Sequence, residues 1–457
     1  MPTVDLRNSR IGHGAPGEGQ PSLTLDEVSV AGLMRVVVET FERARVTYCV
    51  LRDADCLDRP GGEVDLLVDR RDFRRLDAVL GPLGFVRLRA WGYAPHRFYL
   101  AYDRVSDAWL KLDAVSGLAY GQRPVLGLSL TDRCLQNRRY QRPVWVPSPE
   151  DELVALLLHC AVDKRRIDPS RRDRCKVLGR QITDATYLST LLSAYWAPTM
   201  TPPRLIRAIE ADDWSALLRE FPAVASRHLS PGLHAAFGRI RRKVLRGLGR
   251  RVPGFRAGAV TVALLAPDGG GKSTLASNLR RSFRVPVHSM YMGLYSKDLP
   301  DRMWRRLPGF GFLSRLIRQW TRYLVAGYHR AYGRIVIFDR YSYDARLALQ
   351  AKRSWLRHWR QWWLARACPA PDLVVVLDAP GEVLYQRKHE HSVAKLERQR
   401  QSYLTLHADL ANSVVVDASR DADEVRREVT ALVWNAYVSR SRGCENRGWQ
   451  HVASGPQ

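Results

Sequence analysis

Asp268-Gly269-Gly270-Gly271-Lys272-Ser273-Thr274 is the run of residues in this 457-residue chain whose types and spacing best suit a polyphosphate. Glycines let successive backbone N–H groups curl around phosphate oxygens, and a helix starting at the lysine adds its dipole. In such a loop Lys272 reaches the β- and γ-phosphates, and the Ser273 hydroxyl ligates Mg²⁺. The spacing fits G-x-x-x-x-G-K-[ST] except at the first position, where Ala266 stands. A turn with a purely structural role is the alternative. The flanks argue against it, because Val260–Leu265 reads as a buried strand and Leu275–Arg281 as a helix.

Further chemistry lies downstream. Ile335-Val336-Ile337-Phe338 reads as a strand that delivers Asp339, Arg340 and Tyr341 at its C-terminal end. An acid there holds Mg²⁺ or orients an acceptor oxygen, and an arginine clamps an acceptor phosphate bidentately. Leu373–Leu377 places Asp378 at a second strand end. The cation-dense Arg387–Arg400 follows, a segment suited to closing over phosphates and offsetting developing charge. Its plain alternative is a solvated helix with i,i+4 pairs.

A second constellation is acidic. Glu63-Val64-Asp65 puts two carboxylates on one face of a strand, since side chains repeat every second residue. Asp113, within Trp109–Asp113, sits on a strand able to run alongside. Three clustered carboxylates are what metal-assisted phosphoryl or nucleotidyl transfer requires. Strand-end acids paired with arginine are the competing reading.

The elements that position these groups divide the chain. Residues 1–26 read as a disordered tail and 27–146 as a small mixed α/β unit. In that unit a helix over Val28–Arg43 and strands at Val46–Leu51, Glu63–Val68, Phe98–Tyr102 and Ala108–Val115 surround an amphipathic helix at Arg71–Leu80. Residues 147–250 read as helical and lead into a Gly/Arg/Pro linker. Ser148-Pro149-Glu150 signals a helix start, and His159 in the apolar run behind it reads as a core residue. From 259 to 437 strands alternate with helices, which predicts a parallel sheet with its phosphate site at the strand C-termini. Residues 438–457 read as a second tail. Trp355, Trp359, Trp362 and Trp363 fall on one helix face, and Phe310–Tyr328 is similar. Core packing against the sheet is the expectation for both, with a membrane surface or base stacking as alternatives.

Composition sets outer limits. An apolar content of 46% fits a globular chain of two or three domains, and no apolar run is long enough to span a bilayer. Seven scattered cysteines without a C-x-x-C pair give neither a disulfide framework nor a zinc site, and fit a reducing cytoplasm. The net charge of +26, carried by 63 arginines and nine lysines, attracts polyanions, nucleic acid among them.

Two resemblances follow from these motifs. Residues 259–437 look like the thymidylate kinase family of P-loop kinases, through Asp268–Thr274, Asp339-Arg340-Tyr341, Arg387–Arg400 and Val416-Asp417-Ala418-Ser419. The resemblance implies an α/β kinase domain that uses ATP and Mg²⁺ on a nucleoside monophosphate or similar phosphorylated acceptor, and it leaves room for a homodimer. It puts Asp268 toward the acceptor, Asp339 and Arg340 on Mg²⁺ and the acceptor phosphate, and Arg387, Arg398 and Arg400 on the donor, with Arg318 a further acceptor-side arginine. Tyr291–Lys297 replaces the family's Glu-Pro-Gly-Gly-Thr segment, which takes thymidylate specificity out of the implication. Residues 46–115 resemble a minimal polymerase-β-like nucleotidyltransferase fold, with Glu63 and Asp65 in place of its Asp-x-Asp pair and Asp113 as its third acid. The family's Gly-Ser element is absent after Leu51.

Overall fold

Alternating burial over Glu63–Leu66 and a wholly buried Thr261–Leu265 lead to two different sheets. The computed structural model describes residues 30–52, 57, 63–88, 96–118, 127–196, 199–228, 244, 259–294, 310–349 and 355–453. The expected N-terminal tail, the linker and residues 295–297 of the altered pocket segment lie outside the described residues.

The N-terminal unit begins with helix α1 (Val30–Arg43) and strands β1 (Tyr48–Val50) and β2 (Glu63–Val68). Helix α2 (Phe73–Leu80) and strands β3 (Val86–Leu88), β4 (His96–Asp103) and β5 (Ala108–Val115) complete it. The sheet order is β1-β2-β5-β4-β3, with β2 and β5 parallel and the other neighbours antiparallel. The parallel register sets Asp65 beside Asp113.

A helical layer follows. After α3 (Gly127–Gln136) and the hairpin β6 (Arg139–Gln141) and β7 (Val144–Val146) come helices α4 (Pro149–Leu158), α5 (Pro169–Gln181), α6 (Ala185–Tyr195), α7 (Pro202–Glu210) and α8 (Trp214–His228). The start of α4 follows the sequence signature: the Ser148 hydroxyl oxygen accepts from the Asp151 N–H, and Pro149 occupies the first turn. Glu150, Asp151 and Glu152 are buried but satisfied. Glu150 accepts from the backbone of Thr183 and Asp184, Asp151 from the Tyr187 hydroxyl, and Glu152 from Arg174 in a bidentate pair at 2.7 and 2.9 Å. These bonds tie α5 and α6 to α4. His159 departs from its expected place in the core. It opens a π-helical turn (His159–Lys164), where Nδ1 lies 3.2 Å from Asp163 Oδ2 at a cleft wall. The apolar run turns its buried side through Leu157, Leu158, Cys160 and Ala161, which leaves His159 at the cleft.

The C-terminal unit holds β8 (Thr261–Leu265), α9 (Lys272–Ser282), β9 (Val287–Tyr291), α10 (Phe310–Ala331), β10 (Ile335–Asp339), α11 (Asp344–Leu349) and α12 (Trp355–Ala365). It ends with β11 (Leu373–Asp378), α13 (Gly381–Arg387), α14 (Val393–Ala408), β12 (Ser413–Asp417) and α15 (Ala422–Ala453). All four strand pairings are parallel, in the order β12-β11-β8-β10-β9. The chain goes out from central β8 to β9, back to β10, then across to β11 on the other side, so the order reverses at β8. Crevices at the carboxyl ends of such strands are where ligands sit in doubly wound sheets.

Two expectations about this unit need correction. The stretch from 438 is not a tail as far as Ala453: α15 continues through it, with Val438 and Ser441 buried. The tryptophan stripe is not core either. Trp355 is 75% exposed and Trp359, Trp362 and Trp363 are 40–46% exposed. Helix α12 buries its opposite face instead, through Gln361, Leu364 and Ala365, the last two against Leu294 and Ala345.

The two units share a core. Trp109 of β5 packs edge-on against Trp434 of α15 at 4.9 Å, and its indole N–H donates to the Ser282 carbonyl at the end of α9. Trp434 donates in turn to the Gly84 carbonyl, and Arg426 pairs with Asp107. A buried aromatic with its polar atom satisfied is a strong anchor, so the sheets are held through α9 and α15.

Candidate functional site

Strand β8 stops at Leu265 and the chain turns over Gly269 and Gly271, whose φ values are +87° and +79°. A side chain at Gly269 would meet the Leu384 carbonyl oxygen at 2.6 Å. The missing first glycine is explained here. Ala266 is not among the positive-φ residues, so it needs no glycine, and its Cβ fills space that a Cβ on residue 270 would claim at 2.6 Å. Alanine at 266 and glycine at 270 form a complementary pair.

Lys272 is buried, and its ammonium donates to the carbonyls of Ala266 and Pro267, both at 2.8 Å. Burial, aided by the nearby Arg340 charge, pushes its pKa down to about 8 against the opposing pull of Asp268, Asp344 and Asp339. The next residue, Ser273, donates its hydroxyl to Asp339 Oδ2 at 2.6 Å. The two oxygens expected to hold Mg²⁺ are therefore together, one on the first turn of α9 and one at the end of β10. Hard oxygen donors at this position suit that cation.

Arg340 follows in a left-handed conformation with φ +68°. Such a backbone is strained for a residue with a side chain and persists where its surroundings over-determine it. Its N–H donates to the Leu264 carbonyl, and its guanidinium donates to Asp268 Oδ1 at 2.5 Å and faces Asp344 Oδ2 at 3.7 Å. Burial works to lower the Arg340 pKa, but Asp344 and Asp268 outweigh it and raise it. Asp268 is also subject to burial, and the cations of Arg340, Lys272 and Lys388 override it, leaving the carboxyl below its ordinary range. Burial raises Asp344 despite Arg340, and Tyr403 donates to its Oδ1 at 3.1 Å.

These groups open on a cavity of about 620 Å³ lined by Asp268–Leu275, Tyr291, Asp339, Arg340, Arg387, Lys388 and Arg420. Of the three arginines expected on the donor, Arg387 is at the wall, donating to the Ala418 carbonyl at 2.8 Å. The other two lie elsewhere. Arg400 forms a bidentate pair with Asp378 at 2.6 and 2.9 Å, and Arg398 is exposed with its Nε on the Ala394 carbonyl. Arg318 lies on α10, outside the lining. Asp344 and Arg420 were not singled out by sequence, and Lys388 and His391 entered only as part of the Arg387–Arg400 segment. His391 Nε2 lies 3.8 Å from Asp268. Asp344 takes its place from Arg340 and Tyr403, which come from separate elements, so no local spacing marked it.

Glu63, Asp65 and Asp113 also come together, each offering an oxygen within 4.8 Å of the others. They face a second cleft of about 1010 Å³, whose other wall includes His159, Asp163, Arg171 and Arg174. Oxygen donors in this number fit a divalent cation. Each already has a basic neighbour: Lys111 at 2.6 Å from Glu63, Arg52 at 3.7 Å from Asp65, and the His96 imidazole at 2.9 Å from Asp113. Burial raises the Asp65 pKa, Arg52 opposes this, and Asp113 and Glu63 add to it.

No family model matches the chain. It is 27% identical over 216 residues to the thymidylate kinase of Xanthomonas euvesicatoria pv. vesicatoria, across 41% of this chain and 89% of that protein. It is 29% identical over 209 residues to the thymidylate kinase of Xanthomonas oryzae pv. oryzae, with the same coverage. Among solved structures, Candida albicans thymidylate kinase aligns over 40% of this chain and 94% of its own at 18% identity and a TM-score of 0.32. The deoxyadenosine kinase from M. mycoides aligns over 37% of this chain and 96% of its own at 13% identity and a TM-score of 0.29. The part of the chain that matches these sequence relatives, about two fifths of it, is a P-loop kinase region.

Proposed function

We propose that the C-terminal unit moves the γ-phosphate of ATP to a nucleoside monophosphate or a similar phosphorylated acceptor. The observation that carries this reading is the convergence of Lys272, the Ser273–Asp339 pair and the Arg340–Asp268 pair on one cavity at the strand C-termini. Loop N–H groups and Lys272 would hold the donor phosphates, the lysine exchanging its two carbonyls for phosphate oxygens. Arg340 would take the acceptor phosphate while Asp268 and Asp344 fix its fork. Arg387 and Lys388, at the opposite wall, would offset charge on the transferring group. Ser273 and Asp339 would hold Mg²⁺, which when bound would supply charge neutralisation for the donor phosphates. Catalysis is then positioning and electrostatics without a covalent enzyme intermediate.

The test is transfer from γ-labelled ATP across a panel of nucleoside monophosphates and sugar phosphates, with Lys272→Ala and Asp339→Ala as controls. Label in no acceptor, or label unchanged in both variants, ends this reading.

A second reading is favoured by one observation, the meeting of Glu63, Asp65 and Asp113 at a cleft of its own. There the carboxylates would support metal-dependent nucleotidyl or phosphoryl transfer, making the protein bifunctional. Metal-dependent nucleotide transfer that persists unchanged in Asp65→Ala refutes it.

A further inference from the structure

We propose that the outer face of α10 and α12 is a docking surface for an anionic bilayer, with both helices lying flat among the lipid headgroups. The inference does not depend on the phosphotransfer reading. Among the described residues, eleven of the eighteen exposed large hydrophobic side chains belong to these two helices. On α10 they run through Leu313, Ile317, Trp320, Leu324 and Tyr328, spacings of three and four residues that draw one stripe along the helix. On α12 the stripe is the four tryptophans. The helices are neighbours, with the Phe312 and Trp359 rings 6.1 Å apart, so the stripes form one surface. An exposed apolar surface of this extent marks an interaction site.

The inner sides of both helices are already used. Gln319 donates to the Met292 carbonyl and Arg322 to the Gly293 carbonyl, while Ala326 packs beneath. The outer face therefore needs something outside the described fold, and charge selects the occupant. Neither helix contains an Asp or Glu; of the arginines, Arg322 is turned inward and Arg330 lies 4.0 Å from Asp372, so the outward charge sits on and just beyond α12. Arg360 and Arg366 are exposed, the latter with its guanidinium 4.3 Å over the Trp362 ring. A second copy meeting this face isologously would set cations against cations. Nucleic acid would account for stacked tryptophans and arginines but not for the aliphatic Leu313, Ile317 and Leu324. Anionic lipid matches both halves: acyl chains and glycerol for the aliphatic and indole groups, phosphates for the arginines. No helix of the described residues is long and apolar enough to cross a membrane, so the helices would rest on it.

The experiment is co-sedimentation of the full chain with vesicles of phosphatidylcholine alone or with added phosphatidylglycerol. Binding to the anionic vesicles only, weakening as salt rises, is expected. Two variants probe the two halves of the face. Trp359→Ser with Trp363→Ser removes indole contact, and Arg360→Glu with Arg366→Glu reverses charge. Each is expected to lower the partition coefficient about tenfold or more, with ATP affinity and the thermal midpoint kept as controls on folding. Wild-type protein that ignores anionic vesicles at low salt overturns the proposal, as does binding at the wild-type level by both variants. A dimer that the variants split, without vesicle binding by the wild type, assigns the face to a second copy and also overturns it.

Discussion

In the C-terminal cleft the lysine facing the cavity is held by two carbonyl oxygens, whereas in the N-terminal cleft every carboxylate of the cluster already has a basic side chain beside it. Carbonyls give up an ammonium to a phosphate readily, because the incoming oxygens are charged and the hydrogen bonds are replaced by stronger ones. Displacing Lys111, Arg52 and His96 requires a competitor of higher charge density. The first cleft is thus arranged to receive an anion. The second is arranged around acids that a divalent cation would have to win. The difference shows how similar residue types, acids with basic neighbours, acquire different chemistry from what the backbone contributes.

The largest effect that separates the clefts is Lys272→Ala. Its loss should cut γ-phosphate transfer by roughly 10²- to 10³-fold, the range for removing one donor from a preorganised anion site. Asp65→Ala should leave the same rate within about twofold, since distant sites act independently. A comparable fall in both variants would break the comparison, because the clefts would then be working as one.

Arg340→Ala probes the buried half of the kinase cleft. It strips Asp344 of its cationic partner and releases Asp268, so the thermal midpoint should fall by roughly 6–12 °C for a cost of about 3 kcal/mol. Arg340→Leu combined with Asp344→Leu should recover much of that loss. Calorimetry of the single and double variants decides it. An unchanged midpoint in Arg340→Ala would mean the cluster is solvated rather than internally paired.

How much of this was legible in the sequence depended on whether backbone or side chains set the position. Strand Ala108–Val115 and the start of β2 at Glu63 follow from apolar and polar alternation, Leu110-Lys111-Leu112-Asp113 in one and Glu63-Val64-Asp65-Leu66 in the other, and the sheet brings Asp65 and Asp113 into register without any special residue. The phosphate loop was readable because glycines at fixed spacing have one physical use there. The fate of Arg400 was not readable, since nothing local separates an arginine aimed at a ligand from one bound to Asp378, twenty-two residues earlier in the chain. Asp344 was hidden for the same reason, its role being set by Arg340 and Tyr403 from separate elements. Periodicity found the tryptophan stripe of α12 but not its direction, which Gln361, Leu364 and Ala365 decided by filling the inner face.

The depressed Lys272 pKa sharpens the comparison by pH. In the free protein its ammonium loses its proton near pH 8, below the ordinary lysine value, because burial disfavours the charge. Bound phosphates favour the charged form, so binding takes up a proton at higher pH. The ATP affinity should fall about tenfold between pH 7 and pH 9. Calorimetry in buffers of different ionisation enthalpy would register the proton uptake. A flat profile would place the lysine charge in solvent and remove the contrast with the exposed ion pairs of the other cleft.

The smallest effect concerns those ion pairs. The Glu63–Lys111 and Asp65–Arg52 contacts are partly exposed, and such pairs are worth well under a buried one, about 0.2–1 kcal/mol each. If Lys111 and Arg52 compete with a divalent cation for the carboxylates, Lys111→Met or Arg52→Met should tighten Mn²⁺ binding by about 1.4- to fivefold, the same range expressed as an equilibrium ratio. Asp113→Asn should weaken binding, because it removes one of three oxygen ligands while leaving the side-chain volume almost unchanged. Titration of Mn²⁺ by its relaxation signal reads all three variants on one scale. Tightening in the methionine variants together with weakening in Asp113→Asn identifies the cluster as a metal site held closed by its own cations. Mn²⁺ affinity that is indifferent to all three means that the acids serve the ion pairs alone, and the N-terminal cleft then differs from the kinase cleft in kind rather than in degree.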